Sequence, residues 1–198
     1  MKKIATLFIL TAFCTMAFSQ APVNSDLYNF NKSRNTKTAT GLKVLGGWAI
    51  GNVAASSYLY FNTKGSDRSF NQMNVMFNGV NVIIVGASLL PKQKNDLDLN
   101  KTLQWQSNTE STYIANAALD LLYSSVGLYL TEKAKNDLPR SAKWNGWGNA
   151  LIMNGGFLFM FDTTMFVVHK HNGKKLYKLM DKVNVGTSGL GIHIGVQL

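Results

Sequence analysis

Residues 149–168 read NALIMNGGFLFMFDTTMFVV, a stretch with no lysine or arginine and a single acidic residue, Asp162. A helix in a soluble bundle carries charged residues on its water-facing side, and this stretch has too few of them to form such a side. Three further blocks also lack lysine and arginine and together contain one acidic residue, Asp120; they are residues 44–61, 73–90 and 113–130. Each block is long enough to cross a hydrocarbon core of about 30 Å. The charge pattern therefore predicts four transmembrane helices within residues 44–168.

The N-terminal residues have the features of an export signal. Lys2 and Lys3 precede an apolar run over residues 4–18, which is too short to span a bilayer, and small or polar residues follow at 19–21. We therefore predict that residues 1–20 are a cleaved signal peptide and that the protein enters the bacterial cytoplasmic (inner) membrane. Cys14 is the single cysteine and would leave with the signal, which excludes disulfides, cysteine-ligated metals and thiol catalysis in the mature chain.

The regions on either side of the four blocks have different patterns. Residues 21–43 are polar, and their pattern fits a loop or a helix lying on the membrane surface. Residues 169–198 begin with a basic segment and end with apolar residues at every second position around a Gly-rich turn at 186–189, which is typical of a β-hairpin. A single hairpin cannot close an outer-membrane barrel. The predicted fold class is an all-α membrane protein, a four-helix transmembrane bundle with a short C-terminal β-hairpin-like tail.

Two rules give opposite orientations for this bundle. A cleaved signal delivers the mature N-terminus to the outer side of the membrane, and the first helix then runs inward. Lysine and arginine are more numerous in the segments that this orientation puts outside, such as the run from Lys170 to Lys182, so the positive-inside rule favours the reverse. We follow the signal peptide, because it engages the export machinery first.

Polar residues recur near the middle of the predicted helices. Asn74, Asn78 and Asn81 share one face of the second helix, and Asn116 and Asp120 share one face of the third. Polar groups that face lipid are costly, so we expect these side chains to point into the bundle. The candidates for a polar core or a ligand-binding site are Asn52, Asn78, Asn81, Asn116, Asp120, Asn154 and Asp162.

Two interpretations of this polar core remain open. Buried amides commonly form hydrogen bonds that fix the positions of neighbouring helices, which favours a scaffold or a bundle that binds a small ligand. Asp120 has no basic partner in its block, and a buried neutral carboxyl can also bind a proton for transport or hold a cation. The alternative is therefore a transporter-like or proton-linked membrane protein centred on Asp120.

The sequence favours a protein that is not an enzyme. It contains no P-loop, GxSxG or HExxH motif, and the flanking motifs of intramembrane aspartyl proteases are absent around Asp120 and Asp162. His169 and His171 form the one histidine pair, but no third ligand lies within reach on the same helix, so we predict no metal site and no cofactor. The net charge of +10 accompanies no nucleic-acid motif, which favours the lipid bilayer over nucleic acid as a partner.

Gly47 and Gly51 lie one turn apart on the first predicted helix and form a GxxxG stripe. Such a stripe allows the backbone of a second helix to approach closely. We therefore expect these glycines to pack helices, and a homo-oligomer could form through the same face.

The stretches VLGGWA at 44–49 and FNQMN at 70–74, continuing to NGVN at 78–81, resemble a family of small bacterial membrane proteins, a domain of unknown function. The resemblance covers most of the chain that would remain after signal cleavage. It implies four membrane helices, and it transfers no catalytic residue to this sequence.

Overall fold

The computed structural model describes residues 2–90, 97–181, 183–188 and 191–196, and within these it describes the side chains of 25–90, 97–178 and 180. This part of the chain forms a four-helix bundle. Its helices are α1 (Lys2–Asn62), α2 (Gly65–Leu89), α3 (Leu99–Asn136) and α4 (Ser141–Asp181), and a 3₁₀ turn (Leu138–Arg140) links α3 to α4. The tail forms two antiparallel strands, β1 (Val183–Ser188) and β2 (Gly191–Val196), with Val183 opposite Val196.

The helix ends follow local sequence signals. Gly65 has a φ of 58°, which glycine adopts without strain, and it allows a short link between α1 and α2. The Thr63 hydroxyl donates to the carbonyl of Leu59 at 2.7 Å, which satisfies one of the free carbonyls at the end of α1. Asp98 caps α3, because its carboxylate accepts a hydrogen bond from the backbone N–H of Lys101 at 3.1 Å.

Each of the four blocks without lysine or arginine falls on one of these helices, and the helices extend beyond the blocks. Residues 21–43, for which the sequence allowed a loop or a surface helix, continue α1 without a break. Because α2 is the shortest helix, the bundle continues past its end as a three-helix extension, formed by residues 25–37, 99–110 and 169–178.

A small apolar cluster holds the three-helix extension together. Leu27 and Phe30 of α1 are buried against Leu176 of α4, and Leu99 and Leu103 of α3 pack on the same cluster. This is the part of the described bundle that most resembles the interior of a soluble protein.

Helix α4 contacts each of the other three helices, and α1 contacts α2, whereas few contacts join α2 to α3. Trp48 of α1 stacks on Phe157 of α4 with their ring centroids 3.8 Å apart. Phe77 of α2 meets Tyr123 of α3 edge to face, with centroids 5.3 Å apart. The sparse contact between α2 and α3 leaves a gap on that side of the bundle.

Glycines allow α3 and α4 to approach closely. A Cβ atom at Gly127 would lie 2.7 Å from the carbonyl oxygen of Gly148, and one at Gly148 would lie 2.6 Å from the carbonyl oxygen of Gly127. A side chain at either position would force the two helices apart. Gly47 and Gly51, the pair that the sequence singled out, are exposed and face away from the other described helices. A homo-oligomer through their face stays a prediction.

Elsewhere in the bundle, the distribution of polar and apolar side chains is the reverse of that in a soluble protein. Asn74 and Asn78 are buried, at 2% and 0% exposed. Ile83 and Leu122 are 72% and 60% exposed. In soluble proteins large aliphatic side chains are usually buried and amides usually exposed.

Among the described residues, two helical stretches are long and apolar enough to cross a membrane, Gly65–Leu89 and Leu138–Lys178. The sequence predicted four such helices, one for each block. The corresponding parts of α1 and α3 are less apolar because they carry polar residues, among them Asn52, Asn116 and Asp120.

Candidate functional site

Asn74 is the centre of a hydrogen-bond network that joins α1, α2 and α4. Its Nδ2 group donates to Oδ1 of Asn52 at 2.9 Å and to Oγ of Ser56 at 2.7 Å. Its Oδ1 atom accepts from Nδ2 of Asn154 at 2.7 Å and from Nδ2 of Asn78 at 2.9 Å. Three of the residues predicted for the polar core, Asn52, Asn78 and Asn154, therefore meet in one network that fixes three helices.

Asp120 of α3 and Asp162 of α4 form a carboxyl pair inside the bundle. The two carboxyl groups lie close enough to interact with each other, and the side chain of Asn116 lies beside Asp162. Both aspartates are buried, at 3% and 5% exposed. Two carboxyl groups that lie side by side in a buried site commonly share one proton. Asp120, which has no basic partner in its own block, thus has an acidic partner on the facing helix.

A cleft of about 990 Å³ lies beside this carboxyl pair, and all four helices contribute to its lining. The residues of α2 and α3 that line it include Val80, Ile84, Leu119 and Tyr123, which are each about half exposed. The cleft therefore opens between α2 and α3, where these helices make few contacts. It has an apolar, exposed rim and a polar floor that includes Asn81, Asn116, Asp120 and Asp162.

Two polar atoms in the cleft lining have no hydrogen-bond partner among the described residues, namely Oδ2 of Asp120 and Nδ2 of Asn81. A buried polar atom without a partner costs roughly 1–3 kcal/mol unless water or a ligand satisfies it. One hydrogen-bond acceptor and one donor are therefore available to a molecule in the cleft.

Residues 44–163 match the model of a family of unknown function, DUF6992. The chain belongs to the DUF6992 family. The match confirms the expected membership of a domain of unknown function, and it includes all seven candidate residues, from Asn52 to Asp162. No curated protein and no solved structure matches the chain.

This DUF6992 protein has a second buried polar cluster, which lies in the three-helix extension. Nε2 of Gln106 donates to Oε1 of Glu110 and to the carbonyl oxygen of His169, both at 2.8 Å. Oγ1 of Thr38 lies 3.3 Å from Nε2 of His169. Nζ of Lys170 lies 3.3 Å from Oε2 of Glu110 and forms an ion pair at the edge of the cluster.

The cluster also contains a buried guanidinium and a buried imidazole. Arg34 is 1% exposed, its Cζ atom lies 5.2 Å from the ring centroid of Trp105, and burial lowers its pKa to about 10. His169 is fully buried. Burial, and then the positive charges of Arg34 and Lys37, lower the pKa of His169 to about 4, against an opposing effect of Glu110. The imidazole is therefore neutral at physiological pH.

The hydrogen-bond network at Asn74 and the polar cluster of the three-helix extension both contain residues that were not among the candidates from the sequence. The spacing of four residues from Asn78 places Asn74 on the inward helix face that the sequence predicts, but Asn74 is not among the candidate site residues. Asn31, Arg34 and Thr38 also have the three- and four-residue spacing of one helix face. That spacing is the signal that could have identified the extension, but the polarity of the segment favoured a surface location.

His169 and His171 do not converge on a metal site. The imidazole of His169 is buried and stacks on the ring of Tyr113, with centroids 5.3 Å apart, whereas His171 is exposed. Within the residues that the structure describes, no three histidine, cysteine, aspartate or glutamate side chains are grouped to hold a metal ion. Tyr113 lines the cleft, and the ring of His169 stacks on Tyr113 and so helps to hold this part of the cleft wall in place.

Proposed function

We propose that this protein is an integral membrane protein whose bundle binds a small amphipathic ligand in the cleft between α2 and α3. The observation that carries the proposal is the cleft, which combines an exposed apolar rim with a buried polar floor. Its volume of about 990 Å³ lies at the upper end of the range for ligand sites, roughly 300–1,000 Å³. The polar end of the ligand would lie at the floor and its apolar end at the rim.

The exposed apolar side chains on the outside of the bundle support a membrane environment. Large apolar side chains are exposed on the helices, for example Ile83 on α2, Leu122 on α3 and Met160 on α4. In water such a surface drives association, whereas among acyl chains it is stable, provided that the polar groups face inward. The composition of α2 and α4 supports spanning, and we extend the proposal to α1 and α3 because their polar residues face the network and the cleft.

The proposal includes the route to the membrane and the partners there. Residues 1–20 would act as the signal peptide, the bacterial inner membrane would be the location, and the bilayer would be the main partner. The exposed face of Gly47 and Gly51 would be the place where a second copy of the chain can pack.

Photolabelling of the cleft tests the ligand-binding proposal. The protein is reconstituted in lipid nanodiscs with a long-chain alcohol that carries a photoreactive diazirine, and labelled residues are mapped by mass spectrometry. We expect label on Leu158 and Asp162, which line the cleft and are buried from the outer surface of the bundle. Ala39 lines the cleft from α1, so Ala39→Trp should fill it and remove most of this label.

Ala55→Trp is the matched control, because Ala55 is an exposed residue of α1 that does not line the cleft. This variant should keep the labelling of Leu158 and Asp162. Label restricted to exposed residues and unchanged by Ala39→Trp would contradict the proposed function.

The second candidate function is a proton-linked membrane protein centred on Asp120. The observation that favours it is the pair of buried carboxyl groups, Asp120 and Asp162, that line the same cleft. Ionisable groups inside a membrane are typical of proton pathways. Proton movement into liposomes that Asp120→Asn abolishes would favour this candidate over simple ligand binding.

A further inference from the structure

We propose that the molecule that occupies the cleft is a hydrophobic organic cation, bound between the carboxyl pair of Asp120 and Asp162 and the surrounding aromatic rings. This inference rests on the proposed ligand-binding function and names the class of its ligand. It is supported by three features of the cleft, which are its acidic side chains, its aromatic walls and a buried carboxyl oxygen without a partner among the described residues.

The described lining of the cleft contains two acids and no basic side chain. α3 contributes Asp120 and α4 contributes Asp162, whereas the lining residues from α1 and α2 include no titratable side chain. The other titratable lining residues are the phenols Tyr113 and Tyr123. The cleft therefore offers negative charge without a cation of its own, and a bound ligand with positive charge would complement it.

Aromatic rings form much of the cleft wall. They belong to Phe77, Tyr113, Tyr123 and Phe161. Phe77 and Tyr123 stand edge to face, with an interplanar angle of 89°. The face of an aromatic ring attracts a cation, and aromatic-lined sites are a common way to recognise quaternary ammonium groups. These rings and the neighbouring carboxyl pair together favour a cation over an anion.

Oδ2 of Asp120 is the third feature. Asp120 is 3% exposed and lines the cleft, and no hydrogen-bond donor among the described residues reaches this oxygen. It is therefore a buried acceptor that a cationic ligand can satisfy. Nδ2 of Asn81, also without a described partner, supplies a donor for an oxygen atom on the same ligand.

Cation binding displaces the proton that the carboxyl pair shares. The bound cation replaces the charge of that proton, both carboxyls become ionised, and the proton passes to bulk water. The basic groups of the neighbouring extension, Arg34 and Lys37, do not line the cleft, and their charges act on His169. A bound cation therefore meets no competing positive side chain in the described lining of the cleft.

Two ions of the same shape and opposite charge test this inference, tetraphenylphosphonium and tetraphenylborate. Binding is measured by equilibrium dialysis with the protein in nanodiscs, and uptake by empty nanodiscs is subtracted. We expect the phosphonium to bind at least about tenfold more tightly than the borate.

Variants of the carboxyl pair locate the binding. Asp120→Asn and Asp162→Asn should each weaken phosphonium binding by roughly tenfold. Glu132→Gln is the control, since Glu132 is an exposed carboxyl on α3 that pairs with Lys135 outside the cleft. Comparison of the two ions on the unchanged protein decides the inference even if a pair variant does not fold.

The results also separate this inference from the proposed function. Equal binding of the two ions, or binding of neither, overturns the assignment of a cation. If the photoreactive alcohol still labels Leu158 and Asp162 in that case, ligand binding in the cleft stands without it. If that labelling is absent as well, both proposals fail.

Discussion

At the scale of single residues, His169 shows how far burial changes the chemistry of a side chain. Its ring stacks on Tyr113, its Nε2 atom lies 3.3 Å from the hydroxyl of Thr38, and no part of the residue is exposed. A proton on this ring would be poorly solvated and would be repelled by Arg34 and Lys37. The folded chain therefore holds the imidazole neutral over a wider pH range than the unfolded chain does.

Because the imidazole of His169 takes up a proton less readily in the folded chain than in the unfolded chain, we expect acid to destabilise the fold. The pKa of His169 is about 4 in the folded chain and near 6.5 in an unfolded chain. The unfolded state therefore takes up the proton first as the pH falls, so this contribution to stability is complete above about pH 6.5 and is lost toward pH 4. Between pH 7 and pH 5 we expect a loss of about 1–2 kcal/mol from this group.

Unfolding by sodium dodecyl sulfate in mixed micelles, followed by circular dichroism at pH 7 and pH 5, measures this loss. His169→Gln should show a smaller loss than the unchanged chain, because its side chain does not titrate. His171→Gln is the control, since His171 is exposed on the same helix. The same loss of stability in all three proteins would contradict the assignment to His169.

At the scale of helices, the asparagine network fixes the register of the bundle. Asn74 alone connects α2 to Asn52 and Ser56 of α1 and to Asn154 of α4. Hydrogen bonds between membrane helices contribute modestly each, about 0.6 kcal/mol on average. Four bonds that share one side chain act together, because its removal leaves several buried partners unpaired.

Asn74→Leu should therefore lower the free energy of unfolding by about 1–3 kcal/mol. The measurement is again unfolding by sodium dodecyl sulfate in mixed micelles, at pH 7. Asn149→Leu is the matched control, because Asn149 is exposed on α4 and bonds weakly to Asn145, at 3.4 Å. We expect a change below about 0.5 kcal/mol for the control. Similar values for the two variants would mean that the network does not stabilise the bundle.

The positions of the helices along the chain could be predicted from the sequence, but the contacts between helices could not. The absence of lysine and arginine from the four blocks indicates where helices lie, because that signal is local. The meeting of Asp120 with Asp162 depends on how α3 and α4 are rotated and shifted against each other. That register is set by the close approach of the two backbones at Gly127 and Gly148. Spacing along one helix carries no information about the facing helix.

At the scale of the whole molecule, the bundle has a polar interior and an apolar exterior. Average hydropathy conceals this arrangement, because it counts Asn52, Asn116 and Asp120 without regard to the direction in which they face. For this reason α1 and α3 have a less apolar composition than α2 and α4, although Leu122 of α3 is as exposed as the apolar side chains of α2 and α4. The three-helix extension could not be predicted from composition either, since its polar residues are buried among one another.

The central claim is that the apolar exterior faces acyl chains, and a spin label on that exterior tests it most directly. In a Cys14→Ser background, which has no other cysteine, Leu122→Cys puts the label at an exposed apolar position of α3. Asn108→Cys puts it at an exposed position of α3 within the extension. Electron paramagnetic resonance in nanodiscs measures the collision of each label with oxygen, which concentrates in lipid, and with a water-soluble nickel chelate. We predict that the label at 122 collides with oxygen and is protected from nickel, and that the label at 108 shows the reverse. Equal access of nickel to both labels would contradict a membrane-spanning bundle.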